Sequence, residues 1–200
     1  MSMWDERFAQ EGYLFGTEPN DFLVSQRHLL KPGMSCLAVA DGEGRNGVWL
    51  AKQGLQVLSV EVSAVAIEKA RKLARQRGVP VEFEQADLAH WYWGESRFDV
   101  VAAIFIQFAP PALREQMFAG IKRCLKPGGL LLLQGYTPRQ LEYKTGGPPV
   151  AENMYTEALL RKAFGDMEWQ HFAEHDKIIR EGTGHSGMSA LMDLVARKST

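Results

Sequence analysis

Cysteine is nearly absent from this chain: Cys36 and Cys124 are the two among 200 residues, with no C-x-x-C pair. A disulfide-stapled secreted scaffold and a zinc finger both need more, so both are excluded. An excess of one charge is also lacking. Lys and Arg number 23 against 24 Asp and Glu, a net charge of −1, and no global field draws nucleic acid or an acidic lipid surface. Long apolar runs are missing too. The longest, Val100 to Ile106, has seven residues, where a membrane span needs about 18. The first residues, MSMWDERF, are charged where a signal peptide needs an apolar stretch. These absences predict a cytoplasmic protein without a membrane or nucleic-acid partner. What is present, 46% hydrophobic and 24% charged residues, is the make-up of one globular domain with a sizeable core.

Four short apolar runs read as buried strands: Cys36–Ala40, Val57–Val62, Asp99–Phe105 and Leu130–Gln134. A weaker one, Val81–Gln85, follows Gly78-Val79-Pro80. Near-continuous apolar runs suit a parallel sheet covered on both faces. Helical patterns lie between them. Asn46–Gln53 ends at Gly54, and Ser63–Arg77 opens on a capping serine and ends at Gly78. A third helix opens at Pro110-Pro111 and closes at Lys126-Pro127-Gly128-Gly129. Strand alternating with helix predicts right-handed crossovers and a doubly wound α/β sheet.

After Tyr136 the alternation breaks. A turn-rich loop, Thr137–Pro149, leads to a helix at Tyr155–Phe164 and two strand-like stretches, Trp169–Arg180 and Ser189–Arg197, joined by the glycine-rich EGTGHSG. Successive strands predict an antiparallel hairpin at the sheet edge. The expected whole is a mostly parallel seven-stranded sheet with a C-terminal antiparallel hairpin. No repeat or linker divides the chain, so residues 1–200 read as one domain: an N-terminal segment (1–30), a core (35–136) and a C-terminal helix with antiparallel strands (137–200).

Directly after the first strand stands Asp41-Gly42-Glu43-Gly44-Arg45-Asn46-Gly47, which contains G-x-G-x-x-G in full. Glycines there let the backbone turn from strand to helix and approach a ligand closely. The second strand ends at Glu61, 19 residues after Gly42. A carboxylate at that spacing can accept hydrogen bonds from both hydroxyls of a ribose. Together they point to a nucleoside-bearing cofactor.

The chain resembles the class I methyltransferases that use S-adenosylmethionine. The matching pieces are AVADGEGRNGVWLA, VLSVEVS, QADL, FDVVAAIF and LKPGGLLLL. Within that superfamily YLFGTEPNDFL, GEGRN and a late G-x-x-H-x-G (Gly182, His185, Gly187) are similar to small bacterial tellurite-resistance-type methyltransferases. The resemblance implies a Rossmann-like fold, S-adenosylmethionine as cofactor and a small-molecule methyl acceptor, a metalloid oxyanion or a thiol. It also implies roles. Gly42 and Gly44 would pass under the amino-acid portion of the cofactor and Glu61 would hold the ribose, with Asp41, Arg45, Asn46 and Val62 in the same cofactor-binding set. Asp87 and Leu88 would face the adenine amino group, and Phe105 to Gln107 would lie near the methyl-bearing sulfur. Many relatives carry Asp where this chain has Glu61.

The first 22 residues hold Trp4, Phe8, Tyr13, Phe15 and Phe22, five of the chain's 20 aromatics. Two readings stay open: aromatics docked on the core, or a lid over the cofactor bent at Gly16 and Pro19. Tyr13 in that segment and His185 in its glycine-rich setting are the candidate catalytic groups. A base is needed only where the nucleophile arrives protonated. No clustered His/Cys/Asp pattern points to a metal. Two alternatives remain: an NAD-dependent oxidoreductase using the same turn, or a non-catalytic cofactor-binding module.

Overall fold

Backbone groups removed from water must pair with one another, and the apolar runs accordingly pair as strands. The computed structural model describes residues 3–200; Met1 and Ser2, the start of the aromatic N-terminal segment, lie outside the described residues. The described residues form two compact units, one running to Trp91 and taking in Glu181–Gly184, the other Tyr92–Arg180 with His185–Thr200.

The first unit holds α1 (Met3–Phe8), α2 (Asp21–Ser25), β1 (Ser35–Val39), α3 (Arg45–Lys52), β2 (Gln56–Glu61), α4 (Ala64–Arg77) and β3 (Glu82–Gln85). β1 runs parallel to β2, with Cys36 opposite Val57 and Val39 opposite Val60. β2 runs parallel to β3, with Glu61 opposite Gln85. α4 begins where the Ser63 side chain accepts the Ala66 N–H and ends on left-handed Gly78, the two caps that such a sequence favours. Its buried face is Ala66, Ile67, Ala70, Leu73 and Ala74, the spacing of one side of a helix.

The second unit holds β4 (Phe98–Ile104), α5 (Pro111–Cys124), β5 (Leu125–Tyr136), α6 (Gln140–Tyr143), α7 (Glu157–Phe164), β6 (Glu168–Glu181, its last residue counted with the first unit) and β7 (His185–Arg197). β4 and β5 are parallel, Val100 facing Leu130 and Ile104 facing Gln134. β5 and β7 are antiparallel, Gln134 facing Asp193 and Tyr136 facing Leu191. The sheet has seven strands in the order β3-β2-β1-β4-β5-β7-β6. The seven strands and the reversed final one are those expected from the sequence.

Three local expectations are corrected. Lys126-Pro127-Gly128-Gly129 is no free turn: α5 stops at Cys124, and these four residues lie inside β5, where the register slips between Phe98 and Val100. The turn-rich stretch after Tyr136 contains a short helix, α6. The EGTGHSG stretch is mostly strand, with His185 the first residue of β7 rather than a loop residue. Among the described residues no helix is long and apolar enough to cross a membrane.

Candidate cofactor site

The turn between β1 and α3 is built on left-handed backbone at Ala40 (φ 47°), Gly42 (φ 57°) and Gly44 (φ 88°). Glycine takes that conformation without the steric cost a side chain brings. Gly44 must also stay bare, since a Cβ there would come within 2.6 Å of the Ala70 Cβ on α4. The Asp41 carboxylate closes the turn. Its Oδ1 accepts the Gly47 N–H at 3.1 Å and its Oδ2 accepts the Ser59 hydroxyl at 3.0 Å. One of the orphan donors in the first turn of α3 is thereby satisfied. Burial pushes the Asp41 pKa up to about 7, although the Ser59 and Gly47 hydrogen bonds act in the other direction.

Glu61 ends β2 and is 5% exposed. Its Oε2 accepts the Gly42 N–H at 2.9 Å, and its Oε1 accepts the Val62 and Ser63 N–H groups at 2.9 Å each. Burial raises its pKa, and the three N–H bonds oppose the rise. A carboxylate offers about four lone-pair sites; three are used, and the remaining one suits a hydroxyl donor. The donor set therefore fits a ribose-bearing cofactor, with Glu61 as acceptor beside a glycine turn that it also holds in place. Asp87 and Leu88 follow β3: Asp87 is exposed, its Oδ1 taking the Ala89 N–H at 2.9 Å, and Leu88 is buried.

Arg45 and Asn46 have protein partners. Arg45 Nη2 lies 2.8 Å from Glu181 Oε2, and Asn46 Oδ1 accepts the Asn20 N–H at 2.9 Å. The Asn46 bond ties the N-terminal segment to the start of α3, and the Arg45 pair ties α3 to the end of β6. Phe8, Leu14 and Ala66 form a buried cluster with Trp4, Phe15 and Val65 packed against it, and a Cβ at Gly42 would meet Phe8 Cζ at 3.3 Å. Tyr13 packs beside Val48, Leu73 and Ala74 and donates its hydroxyl to the Lys69 carbonyl at 3.3 Å.

Sequence reasoning missed Glu43 and Lys69. Glu43, between the two glycines, is 3% exposed. It accepts the Leu14 N–H at 2.7 Å and the Lys69 Nζ at 2.9 Å, and Lys69 donates to the Gln10 and Gly12 carbonyls as well. An acidic residue inside a glycine turn, followed by a lysine on the next helix but one, was the available signal.

In the second unit, Phe105, Gln107 and His185 are brought together around Tyr136. Phe105 adopts φ 55° just after β4, a strained conformation for an aromatic residue and one that clusters at functional sites. Its ring centroid lies 4.5 Å from that of His185 and 4.8 Å from that of Tyr136. Gln107 brackets the Tyr136 backbone, donating to its carbonyl at 2.8 Å and accepting its N–H at 2.6 Å. Beneath Tyr136 on the same strand, Gln134 donates to Asp193 at 2.6 Å, and Asp193 pairs with His175 at 2.8 Å; this polar row was also unforeseen. Among the described residues no group of His, Cys, Asp or Glu is arranged to hold a metal ion.

Residues 36–129 match a family described as a methyltransferase domain. An uncharacterized methyltransferase of Synechocystis sp. is 30% identical over 105 residues, 52% of this chain and 48% of that protein. The chain spans less than half the length of such curated relatives. Among solved structures, TehB of Haemophilus influenzae superposes with a TM-score of 0.73 at 15% identity, covering 98% of this chain and 66% of that one. A SAM-dependent methyltransferase of Methanosarcina mazei gives 0.71 at 18%, covering 91% and 99%. The structure describing conversion of a disulfide bond into a thioacetal group during echinomycin biosynthesis gives 0.77 at 19%, covering 98% and 92%. At these identities the likeness is one of fold, and residues 36–129, just under half of the chain, are the part similar to the methyltransferase-domain family.

Proposed function

We propose that this protein transfers a methyl group from S-adenosylmethionine to a small-molecule acceptor whose reacting atom is soft, either the sulfur of a thiol or a metalloid oxyanion. The observation that carries the reading is the Glu61 carboxylate, buried, bonded to the Gly42 N–H at 2.9 Å and keeping one acceptor site for a ribose hydroxyl. The cofactor supplies a methyl group already activated on a positively charged sulfur.

The chain then has to bind, orient and exclude water. Glu61 holds the ribose, Gly42 and Gly44 let the backbone come close to the amino-acid portion, and Asp87 with the Leu88 backbone takes the adenine edge. Tyr13 anchors the N-terminal segment through the Lys69 carbonyl rather than moving a proton. His185, set among the Phe105 and Tyr136 rings, is assigned to accept a proton at a ring nitrogen from a protonated acceptor. A thiol, with a pKa near 8.5, needs that help; an oxyanion does not. The likeness to TehB and to the echinomycin thioacetal-forming protein supports a soft acceptor.

Calorimetry with S-adenosylhomocysteine and with NAD tests the cofactor, and S-adenosylhomocysteine release with thiols, tellurite, selenite and amines tests the acceptor. Binding of S-adenosylhomocysteine with turnover of a thiol or an oxyanion is expected. NAD binding alone, or turnover of amines alone, overturns the reading.

A further inference from the structure

We propose that Glu181 is a positioning residue, the latch that holds the N-terminal strap closed over the glycine turn. The inference rests on the reading of that turn as the cofactor site. Glu181 is the last residue of β6, far in sequence from Asn20 and Arg45. Its Oε1 accepts Asn20 Nδ2 at 2.9 Å and its Oε2 pairs with Arg45 Nη2 at 2.8 Å. One carboxylate thus grips the strap at Asn20 and the first residue of α3 at Arg45. The pair is sheltered, with side chains 8% and 10% exposed, so its Coulomb attraction is screened far less than that of a surface pair.

The backbone next to Glu181 continues the grip. The Leu14 carbonyl accepts the N–H groups of both Thr183 and Gly184 at 2.9 Å. Gly182, at φ 63°, leaves no room for a side chain against the Leu14 carbonyl and the Gly16 nitrogen. On its other side the strap is bonded to the turn itself through Leu14 N–H to Glu43. The strap is therefore stitched along both edges, and Glu181 is the one charged stitch on the outer edge that also touches α3. Loss of it removes one bond from Asn20 and one from Arg45 together, loosening the cover and the start of α3 in one step.

Amide hydrogen exchange on the full chain tests the latch without cofactor. Glu181→Ala removes both grips. Asn20→Asp removes only the strap-side donor, keeps the oxygen that caps α2 by accepting the Leu23 N–H, and sets two carboxylates facing each other. A hydrogen bond to a charged group is worth roughly 1.5–3 kcal/mol, so exchange in the segment spanning residues 10–24 should rise about 10- to 150-fold in both variants. Glu181→Gln, which keeps one acceptor oxygen, should fall between. Exchange in β1 and β2 should stay as in the parent. Unchanged protection of residues 10–24 in both variants overturns the latch, and so does a rise spread evenly over the whole chain.

Cofactor retention gives the functional half. Dissociation of S-adenosylhomocysteine should be faster in Glu181→Ala, and deleting residues 1–22 in that background should add less than the same deletion adds in the parent, because the strap is already loosened. Additive effects overturn the proposal. A parent protein that binds no S-adenosylhomocysteine sinks the cofactor assignment instead, and the exchange experiment still decides the latch.

Discussion

The carboxylate of Glu61 accepts the backbone N–H of Gly42 at 2.9 Å, joining the end of β2 to the turn after β1 across 19 positions. The residue expected to bind ribose is thus also the one that sets the shape of the loop beneath it. Substitutions at Glu61 are therefore expected to act on the loop and on ligand binding together.

Glu61→Ala should therefore weaken S-adenosylhomocysteine binding by about 10- to 150-fold, the worth of a lost hydrogen bond to a charged group. It should also destabilise the domain by roughly 1–3 kcal/mol, since buried N–H groups lose their acceptor. Glu61→Gln, retaining one oxygen, should cost less on both counts. Calorimetry and urea unfolding check the pair, and a change in binding with none in stability would separate the two roles.

Asp41 gives the protein a pH signature. Its pKa is raised from 3.8 to about 7 by burial, so the folded state keeps a proton that the unfolded chain gives up. The contribution is fully present below about pH 4 and is lost as pH rises through 7, amounting to at most about 4 kcal/mol for three pKa units. Asp41→Asn should flatten that slope. Unfolding free energies of parent and variant measured from pH 4 to pH 8 check it.

In the second unit the Asp193 carboxylate serves two partners, Gln134 at 2.6 Å and His175 at 2.8 Å. Asp193→Ala leaves the buried Gln134 amide without its acceptor, at a cost of roughly 1–3 kcal/mol. Denaturant titration should show that loss, and His175→Ala, at the more exposed end of the row, should cost less.

His185→Phe keeps a ring beside Phe105 and removes the proton acceptor. Thiol turnover should fall about 100- to 10,000-fold, the usual worth of a positioned base, while turnover of an oxyanion acceptor should change little. Equal losses with both acceptors would assign His185 to packing.

Much of the fold was legible because two-sided burial writes a simple pattern. Runs such as Leu37 to Val39 and Val100 to Ile104 are apolar for their whole length, and each became a strand. The glycine turn and Glu61 were legible for a related reason: both answer to a local backbone need. What escaped was set by distant partners. Glu181 looks like any charged residue at a strand end until Asn20 and Arg45, 161 and 136 positions away, are brought to it. Gly182 and Gly184 suggested a flexible loop around His185, yet Gly182 is small to admit the Leu14 carbonyl and Gly184 to admit the Phe15 ring. Small size for close packing and small size for freedom are identical in a sequence.

The bond between Thr183 and the Leu14 carbonyl spans 169 positions, and this imposes an order on how the protein comes into being. Chains emerge from the ribosome N-terminus first, so the strap is made well before its outer partners. β1 and β2 with the turn between them can pair long before, as contacts of short separation close early. The strap's outer edge must wait for Glu181–Gly184. The nascent protein thus has its glycine turn before it has the full cover, and the last fastening of the strap waits on residues made long after it.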